Sequence, residues 1–444
     1  MTSPTTFGRF DVVVVGSGAA GSSAAIASAR NGARTLLIEK LPFLGGNSTA
    51  VLDTFYGFYT PGERARKVVA GIGDDVVAGL RTIGDVVERP NTYGAGTGIT
   101  YLAEHLKVVW EQLAVDAGAQ VLLHAFMQDV VVRDGRIDSL LVATKAGHIT
   151  ITPGVVIDAS GDADVCHHAG FGYELAGTQS AAQTLTTTFC MANVDMDKRR
   201  AVGNEQLHAL MREAAESGDY DLPRREGSDH VTPVDGMTAT VMTRIDQVRP
   251  SPAGDFRNAT DPEVLTAVEI EGRRQALEYV RFLIDEVPGY ERASLVALSS
   301  QVGLRETRRV YGDYRLTRDD VLAACPFDDQ IGLCGAPIED HHGGAGTGTN
   351  WEYLPDGKVV GIPLRTLIPR DGVNVLAAGR CFSAEHDAQA SVRSMAQCMA
   401  MGQAAGTAAA LAAAGGGEVR TIDPQTIRAR LRSDGAIVSM EDVP

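Results

Sequence analysis

The clearest pattern in the chain is an apolar run, Phe10-Asp11-Val12-Val13-Val14-Val15, followed by a glycine turn and a stretch of small residues that ends at Gly32. A continuous apolar run of this length predicts a buried strand, and the Ala/Ser-rich segment after it reads as a closely packed helix. A second strand-length run, Ala33 to Ile38, ends on Glu39 and Lys40. Strand, tight turn, helix and strand in about 30 residues have the size of one βαβ unit. Residues 99–118 then place apolar side chains at helical spacing, with Gly118 just past the end. Between 120 and 158 the residues alternate and are rich in β-branched types, with hairpin signals at Asp134-Gly135 and Ala146-Gly147. This predicts a three-stranded meander that feeds back into a sheet strand ending at Asp158.

From about 176 to 335 the text changes character: a polar stretch (Asp195 to Asp229), a long helix from Pro262 to Glu286, and a strand-like segment around Ser294 to Val302. Val373 to Arg380 again reads as a strand of the first body, followed by a long Ala/Gly-rich helix. At 444 residues the chain is too long for one ordinary core. The expected fold class is α/β. A Rossmann-like nucleotide-binding domain with a β-meander spans 1–175 and an inserted α+β substrate domain spans 176–335. A return segment at 336–415 and a C-terminal tail at 416–444 complete it.

Gly16-Ser17-Gly18-Ala19-Ala20-Gly21 fits GxGxxG in its full context, after a strand and at the start of a helix, with Glu39 closing the next strand 18 residues beyond Gly21. Gly16 permits the tight turn, Gly18 lets the backbone approach a pyrophosphate, and Gly21 lets the helix lie close on the strand. The helix N-terminus at Ala19 and Ala20 offers unpaired N–H groups and partial positive charge to phosphates, and Glu39 can accept from ribose hydroxyls. These residues point to a dinucleotide. Two other glycine-rich stretches, 94–98 and 343–348, lack the βαβ setting.

After Glu39 and Lys40, the segment Gly45-Gly46-Asn47-Ser48-Thr49 resembles the second nucleotide-contacting stretch of the flavoproteins that include fumarate reductases and related FAD oxidoreductases. Asp158-Ala159-Ser160-Gly161-Asp162 is similar to the small-residue turn that closes over FAD after the meander in that family. Asn374 to Arg380 with the helix starting near Ser391 and Val392 looks like its flavin-proximal signature, the helix N-terminus aimed at the pyrimidine side of the ring. The segments GLRETRRVYGDYRLT, from Gly303 to Thr317, and GIPLRTLIP, from Gly361 to Pro369, add to the likeness, which covers most of 11–175 and 300–414. The resemblance implies FAD as cofactor, held by the residues just named together with Met127, Gly379 and Arg380. It implies a flavin-dependent dehydrogenase or oxidase passing a hydride between a small polar organic substrate and flavin N5. Two alternatives stand beside it: an NAD(P)H-consuming flavin reductase or monooxygenase, and an FAD-binding assembly protein without turnover.

Flavin supplies redox chemistry, so the protein must orient substrate and move protons. His386 lies between the Gly379 strand and the last helix, where an imidazole could border the ring, against the plainer role of holding the loop's shape. Arg393 and Arg305 suit a substrate carboxylate, or else bind neighbouring acids. Of Asp340-His341-His342, His342 is the expected substrate-site residue; adjacent side chains converge poorly on one ion, so no metal site is expected. Cys381 is either a flavin attachment point or, more simply, packing. Ser48 and Thr49 occupy the place after the glycine pair where histidyl attachment occurs in relatives, which excludes that linkage.

A net charge of -16 and no basic run argue against nucleic acid as partner. Six scattered cysteines without a CxxC pair, and an N-terminus without a signal-peptide pattern, make reduced thiols and a cytoplasmic location the expectation, with no membrane span. The absence of a second βαβ glycine motif, of iron–sulfur spacing and of a haem motif leaves electrons to an external acceptor: oxygen, a small molecule or another protein. A homodimer is compatible with the sequence.

Overall fold

The computed structural model describes residues 4–443 apart from 63–64, 90–96, 251–255, 343–347 and 356. The glycine-rich stretches noted at 94–98 and 343–348 lie mostly outside the described residues.

The predicted βαβ unit forms as β1 (Thr5–Val15), α1 (Ala19–Arg30) and β2 (Thr35–Ile38). After it come α2 (Ala103–Asp116), β3 (Gln120–Leu122) and the meander β4 (Phe126–Arg133), β5 (Arg136–Thr144) and β6 (Gly147–Asp158). The β4–β5 hairpin turns at Asp134 and Gly135, both at positive φ (48° and 73°), as the primed hairpin turn requires. The sheet runs β3-β2-β1-β6-β5-β4, with β1 parallel to β2 and β6. Its central strands are covered on both faces. Val12, Val14, Leu37, Val155 and Ile157 face one core, and Val13, Val15, Leu36, Ile38 and Val156 the other. Burial on both faces explains why β1 reads as a continuous apolar run and does not alternate.

A second sheet is built from β7 (Phe189–Ala192), β8 (Ser228–Val231), β9 (Thr238–Val241) and β10 (Ser294–Leu298), in the order β8-β9-β7-β10 and antiparallel throughout. Helices α3 (Asn204–Ser217) and α4 (Pro262–Glu286) pack on it through Leu207, Met211, Tyr279, Phe282 and Leu283. The long helix starts where the sequence says. Asp261 caps it by accepting from the Glu263 and Val264 amides, and Pro262 takes the first helical position.

The chain rejoins the first body before residue 335. Leu316, Val321, Ile331, Leu333 and Cys334 all sit in the same core as β1 and α1, so the expected boundary of the inserted unit is displaced towards the N-terminus. β11 (Val375–Ala377) then pairs in parallel with the second half of β6. The final helical segment is two helices, α5 (His386–Val392) and α6 (Met395–Ala414), separated at Arg393 and at Ser394, whose ψ of 150° is extended. Helix α6 crosses α1 so closely that a Cβ at Gly402 or Gly406 would overlap the Ala20 or Ala24 carbonyl. The expected tail beyond 415 also packs: Val419, Ile427, Leu431, Ile437 and Val438 are buried in the same core. Among the described residues, no helix is long and apolar enough to cross a membrane.

Candidate active site

One cavity of about 400 Å3 runs along the C-terminal ends of β1, β2, β6 and β11 and continues beneath the second sheet. Ligand crevices in open parallel sheets lie at this edge.

At its first end the glycines do separate jobs. Gly16 has φ +91°, and a Cβ there would sit 2.5 Å from the Ala159 carbonyl oxygen; one at Gly21 would overlap the Gly16 carbonyl. Gly18 is different, because a Cβ there would meet no atom within 4 Å. Its bare backbone faces the cavity, and α1 begins behind it with no side-chain cap. The first-turn amides, at Ala19 and Ala20, therefore open onto the cavity with the positive end of the helix dipole.

Glu39 lines the wall, and its carboxylate accepts from the Ser17 amide (2.8 Å), the Ser17 hydroxyl (2.6 Å) and the Leu41 amide (2.8 Å). It thus fixes the glycine turn as well as facing the cavity. Lys40, Gly45, Gly46, Asn47, Ser48, Met127, Ser160, Gly161, Asp162, Gly379 and Arg380 line the same space. Asp162 ties two of the walls together, accepting from Arg380 at 2.9 Å and from Thr307 at 2.6 Å.

Several expected contacts lie behind the wall. Thr49 turns its hydroxyl to the Leu44 carbonyl at 2.7 Å, and Gly21 serves helix packing. Ser391 and Val392 are buried in α5, Ser391 donating to the Ala336 carbonyl at 2.7 Å. The break after α5 shifts the start of the long helix, so Ser394 and Met395 reach the cavity where Ser391 was expected. Cys381 is fully buried, its thiol directed at the Asp158 and Ala378 carbonyls, and it does not line the cavity.

The other end of the cavity is cationic. Arg224, Arg305 and Arg393 line it with Glu226, Glu339, His341 and Tyr56. Arg305 Nη1 donates to the Thr184 carbonyl at 2.7 Å, and Arg393 Nη2 donates to Gln183 Oε1 at 2.9 Å. The buried Nε atoms of Arg224 and Arg393, and Nη1 of Arg244, have no partner among the described residues. Burial pushes Arg305 down to about 9, helped by the like charges of Arg393 and Arg224. Burial alone would raise Glu339, but His341, Arg393 and Arg305 outweigh it and hold the carboxyl at about 2. Burial, then Arg305, pushes His341 down to about 3 despite its 2.9 Å contact with Glu339. His341 is therefore a neutral ring near neutral pH, its Nδ1 paired with the Thr349 hydroxyl at 3.1 Å. The Tyr56 oxygen accepts from Arg89, and burial raises its phenol.

The two expected histidines stand elsewhere. His386 begins α5, with Nδ1 3.0 Å from both Glu306 oxygens and Nε2 3.1 Å from Asp340, and it does not line the cavity. His342 is half-buried and bonded to Asp340 at 3.1 Å, also off the wall. In the strand Ile338–Asp340 and just beyond it, Glu339 and His341 face the cavity while Asp340 turns away. The period-2 alternation of an extended segment was the available signal for choosing His341 over His342. Arg224 carried none, because it sits in an irregular polar stretch.

The model of the family described as FAD dependent oxidoreductase matches residues 11–431. Among similar proteins, a fumarate reductase (cytochrome) of Shewanella frigidimarina is 40% identical over 78 residues, 17% of this chain and 14% of that protein. The digeranylgeranylglycerophospholipid reductase 2 of Methanothermobacter thermautotrophicus is 28% identical over 205 residues, 43% of this chain and 48% of that protein. The chain thus spans from a seventh to about half the length of these two relatives. A geranylgeranyl bacteriochlorophyll reductase-like structure from Thermoplasma acidophilum aligns with 97% of this chain and 84% of its own, at TM-score 0.47 and 14% identity. With a family model matched over nearly its whole length, this chain belongs to the FAD-dependent oxidoreductases, and its cofactor is FAD.

Proposed function

We propose that the chain catalyses hydride transfer between bound FAD and a small carboxylate-bearing substrate held at the arginine-lined end of the cavity. The observation that carries this reading is the convergence of Arg224, Arg305 and Arg393 on the lining of one cavity. Burial and the like charges of Arg393 and Arg224 disfavour the charge on Arg305, and an anion placed among the three guanidinium groups offsets that repulsion through charge-assisted hydrogen bonds.

The first end fits FAD. A bare Gly18, an uncapped helix start and an acid at the end of β2 match a pyrophosphate and a ribose, and Gly45 to Ser48 with Ser160 to Asp162 and Gly379-Arg380 extend that cradle toward the arginines. Bound FAD supplies a hydride acceptor or donor at N5. Arg224, Arg305 and Arg393 bind and orient the substrate carboxylate, with Arg244 adding positive charge behind them. Glu339 keeps His341 and the arginines in place. Tyr56 accepts from Arg89 through its oxygen, which leaves its own proton to donate to a substrate oxygen. The unit built on the second sheet contributes Arg224, Glu226 and Ser228 to one side of the site. Electrons leave to an external acceptor.

The test is anaerobic. Small hydroxy and amino acids, together with their amides, are screened for bleaching of the flavin absorbance, and the corresponding unsaturated and oxo acids for reoxidation of the reduced protein. Acids reacting where their amides do not supports the reading. Amides or neutral alcohols reacting as fast as the acids overturns it.

A further inference from the structure

Two of the four segments at the arginine-lined end of the cavity are adjacent in space: one bears Arg305, the other Glu339 and His341. The side chains next in sequence, Glu306 and Asp340, turn away from the cavity, and both end on one imidazole. His386 Nδ1 is 3.0 Å from the Glu306 carboxylate and Nε2 is 3.1 Å from Asp340 Oδ1. The bridge is sheltered, with side-chain exposures of 11% for His386, 0% for Glu306 and 14% for Asp340, so water competes little for these bonds. The same short helix adds ties in the same places. Gln389 donates to the Arg305 carbonyl at 2.9 Å and takes a bond from Gln183 at 3.1 Å, while Arg393 reaches the Glu339 carbonyl at 3.3 Å.

We propose that His386 is a positioning residue, a clamp that fixes the spacing between Arg305 and the Glu339–His341 segment through its two carboxylate partners, and so sets the affinity of the cavity for a carboxylate. This rests on the reading of the arginine-lined end as an anion site. An imidazole suits the task because its two nitrogens point in divergent directions from a rigid ring. It therefore measures a distance between two carboxylates that a flexible side chain does not. Through Glu306, which also pairs with Arg309, the clamp is anchored to the strand Arg308–Val310, and Arg309 is in turn held by Glu174. The chain of alternating charges leaves Arg305 little freedom to drift.

The experiment uses FAD-loaded protein and malonate, a small redox-inert carboxylate. Binding is read by the perturbation of the flavin spectrum and by calorimetry. His386→Gln is compared with wild type, and the same pair is repeated in an Arg305→Met background. Misplacing a binding group by a fraction of an ångström to 1 Å costs up to about a hundredfold, so His386→Gln is expected to weaken malonate on the order of tenfold with FAD content unchanged. In the Arg305→Met background the same replacement is expected to cost less than about twofold, because residues acting through one another are not additive. Should His386→Gln fail to retain FAD, Asp340→Asn takes its place, since it leaves the His386–Glu306 pair standing. An equal loss in both backgrounds, or no loss in wild type, overturns the clamp while leaving the anion site intact. Failure of malonate to bind wild type overturns the anion reading and the clamp together.

Discussion

Gly18 and Gly21, three residues apart at the start of α1, allow cofactor approach to be separated from chain packing by single methyl groups. In Gly18→Ala the new Cβ meets no protein atom within 4 Å, and the backbone there (φ -58°, ψ -179°) is one that alanine adopts. The apoprotein should be unharmed, or stabilised by about 0.4–1 kcal/mol through the lost freedom of the unfolded chain. The methyl group instead occupies space that the pyrophosphate needs. Loss of one hydrogen bond to a charged group is worth about 2 kcal/mol, or roughly thirtyfold in Kd for FAD. In Gly21→Ala the Cβ overlaps the Gly16 carbonyl oxygen and stands 3.0 Å from the Ala159 Cβ, so helix and turn must separate. Overpacking of that kind costs about 1–3 kcal/mol before any ligand is added. The assay is a pair of measurements on each stripped protein: the melting temperature without FAD, and the FAD affinity by fluorescence quenching. Gly18→Ala should keep the apoprotein melt and lose affinity, and Gly21→Ala should lose both. A Gly18→Ala protein that binds FAD like wild type, or melts as early as Gly21→Ala, would refute the division of labour.

Other outcomes follow from the same structure. Replacing Arg393 by Met removes a cavity cation and should weaken carboxylate binding about tenfold to a hundredfold while FAD stays bound, as measured by flavin spectral titration. The His341 ring takes up a proton at its usual 6.5 in the unfolded chain but only at about 3 in the fold. Stability is then full above pH 6.5 and falls as the pH drops toward 3, by about 2 kcal/mol at pH 5. His341→Gln should flatten that part of the melting profile, and a profile parallel to wild type would contradict the assignment. Asp229 holds Arg199 in a buried pair, Arg199 Nε lying 2.6 Å from Oδ2, and also accepts from Tyr290. Asp229→Ala leaves a buried guanidinium and should destabilise the second sheet by about 3–5 kcal/mol, seen as an early transition in far-UV melts that keeps the flavin signal.

The glycine-turn end of the cavity was legible in the sequence because each requirement there is local. Gly16, Gly18 and Gly21 answer to a turn, a bare approach and a close packing that lie within six residues of one another. The arginine-lined end was not, because Arg224, Arg305, Glu339 and Arg393 come from four separated segments that only tertiary folding brings to one wall. Arg305 and Arg393 were visible as cations near flavin-proximal stretches; Arg224 had no such neighbour. His386 was placed by proximity in sequence to the Gly379 strand, yet the first turn of α5 directs it to the two carboxylates on the far side of that wall. The break at Arg393-Ser394 was hidden for a similar reason. Nothing in Ser391 to Met395 forbids a helix, so the start of α6 is decided by packing and not by propensity. Likewise, the packed C-terminal segment read as a tail because its few buried residues, such as Ile427 and Leu431, are spaced too thinly to signal a core.

Strand β6 pairs with a hairpin neighbour over its first half and with β11, more than 200 residues later, over its second. Helix α1 likewise finds its cover in α6. Residues 1–175 by themselves therefore present a glycine turn, a parallel sheet edge and the alanine face of α1 without the pieces that shield them. That stretch cannot complete its first body alone, whatever the local strength of its βαβ unit, because the same core draws on segments as distant as Val438. Order along the chain and closure of the cores are here opposed: the inserted second sheet, with its own core of Met211, Tyr279 and Phe282, is built from one continuous stretch, while the sheet that precedes it is completed only by segments that follow.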